Sequence, residues 1–374
     1  MKLAVTAMVR DEADIITQWV DYHLAQGVDV IIVTDNASTD GTTEILQAYE
    51  AAGSLVLHHD HRHEKQQGEV VTRMAREAAA EHGADWVVNA DADEFIVPVD
   101  RSRSLKDVFE VIDPGLGSFG VRVVNLLGPV AESGAGFERL VWRDGRSNDE
   151  LRTVGVLAQP TTNAVHVGDP DVTVVQGNHL VSITSHGAPP PELALEVLHL
   201  PWRSWRQFEH KVEMAGAGYE ASPHLRPSPN HHGMRDYARL KKGVLLPFYA
   251  ARHPLRDELD GGPFTLDRTL PEFFAAHAIA PGDPDIEFGV ERARELASFG
   301  RQQAENALEL DEMLAELDRI TIESQAREAA LLAHQSDLTA EIRRLQATLD
   351  ATNARKVVRL ADAVSNMVAR PHRS

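Results

Sequence analysis

Residues 85–98 read DWVVNADADEFIVP, an apolar run interrupted by three carboxylates, Asp91, Asp93 and Glu94. Trp86, Val87 and Val88 lead in, and Phe95, Ile96 and Val97 lead out. In extended backbone, residues i and i+2 point to the same side, so Asp91 and Asp93 converge just past a buried strand. Two like charges held close and out of water are costly unless a cation joins them. Mg²⁺ and Mn²⁺ take oxygen ligands and are often held by one or two carboxylates together with substrate phosphates. The spacing points to a divalent-metal nucleotide site. A loop-capping acidic turn is the plainer alternative, and a D-x-D alone does not separate the two.

Other polar clusters carry weaker signals. In HHDHRHEK, residues 58–65, His59, His61 and His63 alternate and could share a face, as a transition metal requires. A solvated or substrate-lining loop explains them as well, and NHHG at 230–233 reads the same way. Trp202 and Trp205 flank Arg203 and Arg206 in LPWRSWRQF, which suits either sugar and phosphate recognition or a Trp-anchored helix. GAGF at 134–137 is too short for a phosphate-binding loop.

The elements that must position these groups alternate. Short β-branched runs at 2–9, 28–34, 54–59 and 85–90 predict strands. Between them, 14–26, a stretch ending near 52, and 68–82 predict helices, closed by Gly27, Gly53 and Gly83. The alternation predicts an α/β fold with a parallel sheet, in which ligands bind at the carboxyl ends of the strands. Arg10 and Glu12, Asp35, Asp60 with Lys65, and Asp91 with Asp93 all fall at such ends. From 117 to 200, four runs broken by Gly, Pro and Asn predict a mixed or antiparallel extension: GSFGVRVVNLL, FERLVWR, VGVLAQPTTNAVHVG and VTVVQGNHLVSIT. Residues 221–290, rich in Pro, His and Gly, yield no clear pattern.

Beyond about residue 291 the composition changes. Leu310, Leu317, Leu331, Leu338 and Leu345 fall on one heptad position, and Leu314, Ile342 and Leu349 on the other. Thr321, Ser324, Glu328 and Gln335 break the seam. The pattern predicts a helical extension forming a coiled coil, or a long solvated helix packed on its own domain. The boundaries implied are 1–250 for the α/β domain, 251–300 for a helical or irregular connection, and 301–374 for the extension. Its end is basic, with Arg355, Lys356, Arg359, Arg370 and Arg373 among apolar residues. That end suits contact with an acidic membrane surface, or a disordered tail.

MVRDEADIITQWVDYHLAQGVDVIIVTDNASTDGTTEIL followed by DWVVNADADEF resembles the nucleotide-sugar glycosyltransferases of the GT-A fold. The likeness is to family-2-like members with Arg-(Asn/Asp)-Glu after the first strand and a W-x-x-Y-H-x-x-x-G helix. It covers about residues 1–100, and LEVLHLPWRSWRQFEHKV at 195–212 resembles their histidine-bearing segment. The resemblance implies a Rossmann-like mixed sheet flanked by helices, a nucleoside-diphosphate sugar donor, a saccharide or lipid-linked acceptor, and Mn²⁺ or Mg²⁺. It implies Asp91 at the ribose or the metal's water shell, Asp93 as metal ligand, and His199 as a further metal or diphosphate contact. Asp35 would hold the base, Arg10 and Glu12 would line the nucleotide pocket, and Asp60 and Lys65 would border base and diphosphate. An inverting hexosyl transfer needs a general base. The acidic pair expected downstream has no clear counterpart, and Glu132, Glu138, Asp144 and His179 are the candidates. The implied setting is bacterial polysaccharide or glycoconjugate synthesis.

The bulk numbers agree with a soluble globular protein: 374 residues, 43% apolar and 25% charged. A formal net charge of −20 argues against general nucleic-acid binding and requires a local positive centre for any anionic substrate. Cysteine is absent, which excludes disulfides and thiolate metal sites and leans towards a reducing compartment. The opening apolar run ends at Arg10-Asp11-Glu12, too short for a signal peptide, and no run reaches the length of a membrane helix. A cytoplasmic protein is expected, with the basic tail as a contact to the inner membrane face and the extension as a self-association element. Two rivals remain open. One is a sugar nucleotidyltransferase, which would carry a glycine- and arginine-rich loop after the first strand where AMVRDEADII has no glycine. The other is a coiled-coil scaffold with a degenerate transferase domain.

Overall fold

Three consecutive βα repeats and a fourth strand build the first part of the chain, and their register explains where the acidic residues emerge. The computed structural model describes residues 1–62, 66–221 and 232–368. The chain divides into two units, Met1–Asn306 and Ala307–Ser374. In the first unit, β1 (Leu3–Val9), α1 (Ile16–Ala25), β2 (Val30–Asp35), α2 (Thr42–Ala51), β3 (Val56–His59), α3 (Gln67–Ala80) and β4 (Trp86–Asn89) follow one another. The four strands are parallel, in the order β3-β2-β1-β4. Side chains alternate across the sheet. Leu3, Val5, Ala7 and Val9 of β1 join Ile31, Val33, Trp86 and Val88 in one core, with α1. Ala4, Ile32 and Val87 face the other way, against Val70, Val71, Met74 and Ala78 of α3.

α1 shows why the sequence folds this way locally. Ile16, Trp19, Val20 and His23 recur at helical spacing and are buried. Gly27, at φ +80°, ends the run, and a Cβ there would lie 2.7 Å from Lys106 Cβ. No other residue fits that position without strain.

β5 (Glu94–Pro98) starts directly after the acidic turn and is followed by α4 (Leu105–Phe109). Then come β6 (Ser118–Leu127), β7 (Ala131–Ser133), β8 (Trp142–Asp144), α5 (Asn148–Arg152), β9 (Asn163–Val167) and β10 (Leu195–His199). β9 pairs antiparallel with β4 and with β6. β10 lies parallel to β6 and antiparallel to β5. The mixed extension is thus present, but two of its expected strands shrink and one is lost. Phe137 and Leu140 are buried from a turn in which both Arg139 and Leu140 donate to the Gly136 carbonyl. Only Asn163–Val167 of the run 154–168 is strand. Val172 and Val174 pack on the α3 side and contribute a single bridge, Val174 to Val181. In these segments apolar content reflects burial, which periodicity alone cannot tell from strand.

α6 (Trp205–Glu220) ends just before the stretch that gave no pattern, which holds α7 (His232–Lys241), α8 (Leu245–Arg252), β11 (Phe264–Leu266), α9 (Thr269–Ala276) and β12 (Ile286–Glu287). Trp202, Phe208, Val212, Leu245 and Tyr249 form its core. α10 (Val290–Val368) closes the described chain. Its start buries Ala293, Leu296, Ala297 and Ala304 within the first unit. In the second unit, Leu310, Leu314, Leu317, Leu331, Leu338, Ile342, Leu345 and Leu349 are each 51–69% exposed. Among the described residues no helix is long and apolar enough to cross a membrane.

Candidate active site

The carboxyl ends of β1, β2 and β4 open into one cleft of about 650 Å³. Arg10, Asp11, Glu12, Asn36, Gln66, Asp91 and Asp93 line one side of it. Gln207, His210, Lys211, Met214 and Gly218 of α6 line the other. Asp91 and Asp93 reach the cleft from a turn, not from extended backbone. Glu94 N–H donates to the Asp91 carbonyl at 3.1 Å, and the Asp91 N–H donates back to Glu94 Oε2 at 3.1 Å. Asn163 Nδ2 holds the same Glu94 oxygen at 2.7 Å. Glu94 therefore braces the turn.

α1 braces it from behind. Trp19 Nε1 donates to the Glu94 carbonyl at 3.0 Å, and the Tyr22 hydroxyl donates to the Ile96 carbonyl at 2.7 Å. The W-x-x-Y-H spacing thus places a Trp and a Tyr one turn apart on the same face, with His23 between α1 and Phe95. A helical pattern that looked merely apolar fixes the position of the acidic turn.

Strand register brings in His199. β10 sets His199 opposite Glu94 of β5 and opposite Asn125 of β6. Leu200 N–H donates to the Asp93 carbonyl at 2.9 Å. With His199 Nδ1–H donating to Asn125 Oδ1 at 2.9 Å, Nε2 is left facing Asp93 Oδ2 at 3.7 Å. A metal-ligating histidine is normally oriented in this way, its second nitrogen held by a carbonyl oxygen.

Two permanent cations approach Asp93 beside His199. Lys211 Nζ lies 2.5 Å from Oδ2, and Arg203 Nη1 lies 3.7 Å from the same oxygen. Arg203 is fully buried. It bonds Glu12 Oε2 and, through Nε at 2.9 Å, Asp14. Farther along α6, His210 Nε2 bonds Asp11 Oδ2 at 2.7 Å, and Thr39 N–H holds the other Asp11 oxygen at 2.7 Å. Asp11 sits at φ +54°, a left-handed conformation uncommon outside glycine.

The acids still outnumber the permanent cations: Asp11, Glu12, Asp14, Asp91, Asp93 and Glu94 stand against Arg10, Arg203 and Lys211. Burial pushes the Asp91 carboxyl up, and Asp93 beside it adds to the shift. Burial likewise lifts Glu94 to about 7, with Asp91 contributing. Glu12 rises to about 7, burial outweighing Arg203 and Lys211. Burial acts on Asp93 too, but Lys211, His199 and Arg203 hold it well below the usual range. Burial lowers His199, yet Asp93 pulls it up overall. Among the described residues, buried polar atoms without hydrogen bonds gather here as well: Arg10 Nε, Gln66 Oε1, Arg203 Nη1 and Gln207 Oε1. Such atoms are rare in folded proteins, and a group of them around one cleft marks a place for a polar ligand.

The remaining sequence candidates scatter. Asp35 lies at the end of β2, accepting from Thr43 Oγ1 at 2.5 Å and Ser38 N–H at 3.1 Å. Asp60 is tied to Arg62, with Nη2 at 2.7 Å. Lys65 and His63 lie outside the described residues, as do the Asn230 and His231 of NHHG and the distal arginines Arg370 and Arg373. The His59 and His61 rings stack, 6.2 Å apart. Glu132 is exposed, 3.6 Å from Arg206. Glu138 lines a different cleft and pairs with Arg268 at 3.2 Å. Asp144 is buried against Arg146 at 2.8 Å. His179 lies close enough to help hold the Asp91 carboxyl down, and Asn178 Nδ2 and Gln67 Nε2 donate to Asp91 at 3.1 and 3.0 Å. Sequence reasoning missed Lys211, His210, Asn178 and the brace made by Glu94. Only Lys211 and His210 carried a signal, since both stand in the segment that resembles the histidine-bearing stretch.

Among the described residues no three His, Asp or Glu side chains form a complete metal cage. A site of two protein donors is still consistent with Mn²⁺ or Mg²⁺, which take the rest of their shell from water and phosphate. The orientation of His199 towards Asp93, and the excess of acid, fit such an ion.

Residues 4–115 match the sequence model of glycosyltransferase family 92. The match supports a glycosyltransferase. It covers the β1–α4 region that holds the acidic turn, and the likeness to family-2-like members rests on the motifs alone. No curated protein matches the chain. Similar solved structures include S. aureus TarS, at 15% identity, with 82% of this chain and 55% of that chain covered and a TM-score of 0.31. The chain thus spans about half the length of that relative. S. aureus TarS 1–349 in complex with UDP is 13% identical, with 81% and 92% covered and a TM-score of 0.31. Glucosyl-3-phosphoglycerate synthase from Mycobacterium tuberculosis, in complex with Mn²⁺, UDP-glucose and phosphoglyceric acid, is 20% identical, with 44% and 56% covered and a TM-score of 0.23. Likeness at these scores bears no further argument.

Proposed function

We propose that the chain is a metal-dependent glycosyltransferase of GT-A type, moving a sugar from a nucleoside diphosphate to an acceptor hydroxyl of a saccharide or lipid-linked glycan. The observation that carries this reading is the approach of His199 Nε2, at the end of β10, to within 3.7 Å of Oδ2 of Asp93, which lines the cleft at the strand carboxyl ends. Asp93 and His199 would hold Mn²⁺ or Mg²⁺, with Asp91 reaching its water shell or the ribose. When bound, the ion supplies a Lewis acid for the charge that develops on the departing diphosphate. The chain's residues do the rest. Arg10, Glu12 and Asn36 line the nucleotide end of the cleft, with Asp35 and Asp60 at its border. Glu94, Asn163, Trp19 and Tyr22 keep the acidic turn in place.

Transfer forms a bond from the acceptor oxygen to the anomeric carbon and breaks the carbon–phosphate oxygen bond, whose electrons leave with the nucleoside diphosphate. The acceptor proton needs a base near Asp91. Of the sequence candidates, His179 suits this best: Nδ1–H donates to the Thr162 carbonyl at 3.2 Å, which leaves Nε2 free to accept. Glu138 and Asp144 are engaged by arginines elsewhere. An inverting outcome follows if His179 stands opposite the leaving group. The setting we assign is bacterial polysaccharide or glycoconjugate synthesis in the cytoplasm, with the exposed leucines of α10 pairing two copies and the basic tail touching anionic lipid. Vesicle co-sedimentation with and without residues 355–374 tests the tail, and equal binding discards it.

Calorimetry with Mn²⁺ and a panel of nucleoside diphosphates tests the core of the proposal. Metal-dependent nucleotide binding that disappears in Asp93→Ala and weakens in His199→Ala is expected. Nucleotide binding indifferent to both substitutions overturns the metal assignment. A donor screen reading released nucleoside diphosphate then names the sugar.

A further inference from the structure

α6 turns one face to the cleft, through Gln207, His210, Lys211, Met214 and Gly218. His210 and Lys211 are the basic side chains on that face, and each is tied to a carboxylate from the opposite wall, Asp11 at 2.7 Å and Asp93 at 2.5 Å. The lysine contact is peculiar in its place. Lys211 Nζ touches the same Oδ2 that faces His199 Nε2 at 3.7 Å. An ammonium hydrogen-bonded to that oxygen and a divalent ion bound there exclude each other, by charge and by space.

The basic side chains around Asp93 differ in how firmly they are held. Arg203 is fully buried and fixed by Glu12 and Asp14. His199 is fixed by Asn125. Among the described residues Lys211 bonds Asp93 alone, and its side chain is 44% exposed along the cleft wall. A lysine is a point charge on a flexible four-carbon stem, and it binds phosphate as such.

We propose that Lys211 is a tethered counter-cation of the site, neutralising Asp93 while the cleft is empty and passing to the nucleotide diphosphate when a metal takes its place. This rests on the metal-dependent reading above. The exchange keeps Asp93 paired in both states, which matters because a buried carboxylate stripped of its partner is strongly destabilising. It also gives an acidic protein a positive contact for a leaving diphosphate that the metal does not itself cover.

The test uses the full chain and two substitutions, Lys211→Met and Lys211→Arg, with calorimetry in place of turnover. Mn²⁺ alone should bind Lys211→Met about tenfold more tightly than the wild type, because its internal competitor is gone. UDP, the probe nucleotide, should bind Lys211→Met about tenfold more weakly at saturating Mn²⁺, and Lys211→Arg should recover most of that loss. The opposite signs are the signature. A lysine that only stabilises the fold would weaken both ligands together and lower the melting temperature, and that result overturns the proposal. Unchanged UDP affinity in Lys211→Met also overturns it. Failure of the metal reading looks different: the wild type would take up no Mn²⁺ with or without UDP. If UDP affinity still fell in Lys211→Met under those conditions, the lysine would stand as the diphosphate ligand while the metal fell.

Discussion

The two units of the chain place charge and hydrocarbon in opposite ways. In the first, Asp93, Glu94, Glu12 and Arg203 are buried together at the strand ends, while Leu3 and Val5 of β1, Trp86 and Val88 of β4, and Ile16 and Trp19 of α1 are covered. In the second, charges are dispersed along a helix, and Leu331, Leu338, Ile342 and Leu345 are more than half exposed. Burying a charge is costly unless it is paired, so a cleft that gathers acids has been shaped by something other than stability. Exposing a row of leucines is also unusual in a soluble protein. The proposed cation and polar ligand answer the first departure, and the proposed pairing of two copies through α10 answers the second.

The sharpest way to break this contrast is at Asp93. Replacing it by Asn keeps the shape and removes the charge. If the acids exist for catalysis, release of nucleoside diphosphate should fall by roughly a thousandfold, a loss on the scale seen when a well-placed electrostatic group is removed. Arg203 and His199 would then face less negative charge, so folding should change far less than activity. Equal losses of activity and stability would make Asp93 a structural residue.

Arg203 tests the opposite case. It lies fully buried between Glu12, Asp14 and Asp93. Arg203→Met should cost about 3–5 kcal/mol of unfolding free energy, because the buried Glu12 and Asp93 lose a partner, while Asp14 keeps part of its access to water. Denaturant titration followed by the fluorescence of buried Trp19 and Trp86 reads that loss. A change near zero would mean the acids can protonate or hydrate at little cost, and the cleft would be wetter than its geometry indicates.

How much of this was legible in sequence depends on sequence distance. β1 to β4 and their helices were readable because their signals are local: β-branched runs, apolar spacing in α1, and Gly27 at a φ that other residues avoid. Asp91 and Asp93 were readable for the same reason, being two residues apart past a buried strand. Lys211 and Arg203 were not, since their partners lie 118 and 191 residues away and an ion pair leaves no period in the chain. The run around Phe137 and Leu140 misled because burial in a turn needs the same apolar residues as burial in a strand. Glu94, which the sequence left without a role, found one only when Asn163 and the Asp91 N–H met it.

Acid should separate the two units next. His23 and His253 are buried and neutral, burial pushing them down to about 4 and about 3. The unfolded chain takes up those protons near pH 6.5, and the folded one does so only well below it. The folded state therefore carries no penalty from these groups above pH 6.5 and loses stability as pH falls from there towards 4. The loss is on the order of 3 kcal/mol for each histidine by pH 4. Replacing His23 by Asn should flatten part of that slope, measured by urea unfolding between pH 7 and 4. An unchanged slope would mean His23 gains its proton without unfolding.

The smallest effect on the first unit, and the most informative about the second, belongs to the leucine row. Leu331, Leu338, Ile342 and Leu345 fall at steps of seven, four and three residues, the spacing at which knobs of one helix enter holes of another. Thr321, Ser324 and Glu328 interrupt the row, so pairing should be confined to the segment beyond them. Changing Leu338, Ile342 and Leu345 together to Ser removes the apolar contact and keeps the helix largely intact. Sedimentation velocity should then show an associated wild type and a monomeric variant. Nucleotide release should change less than about twofold, because the substituted side chains lie far along the chain from any residue of the cleft and distant sites behave independently. A wild type that sediments as a monomer at all concentrations would discard self-association, and the leucines would then require a different partner.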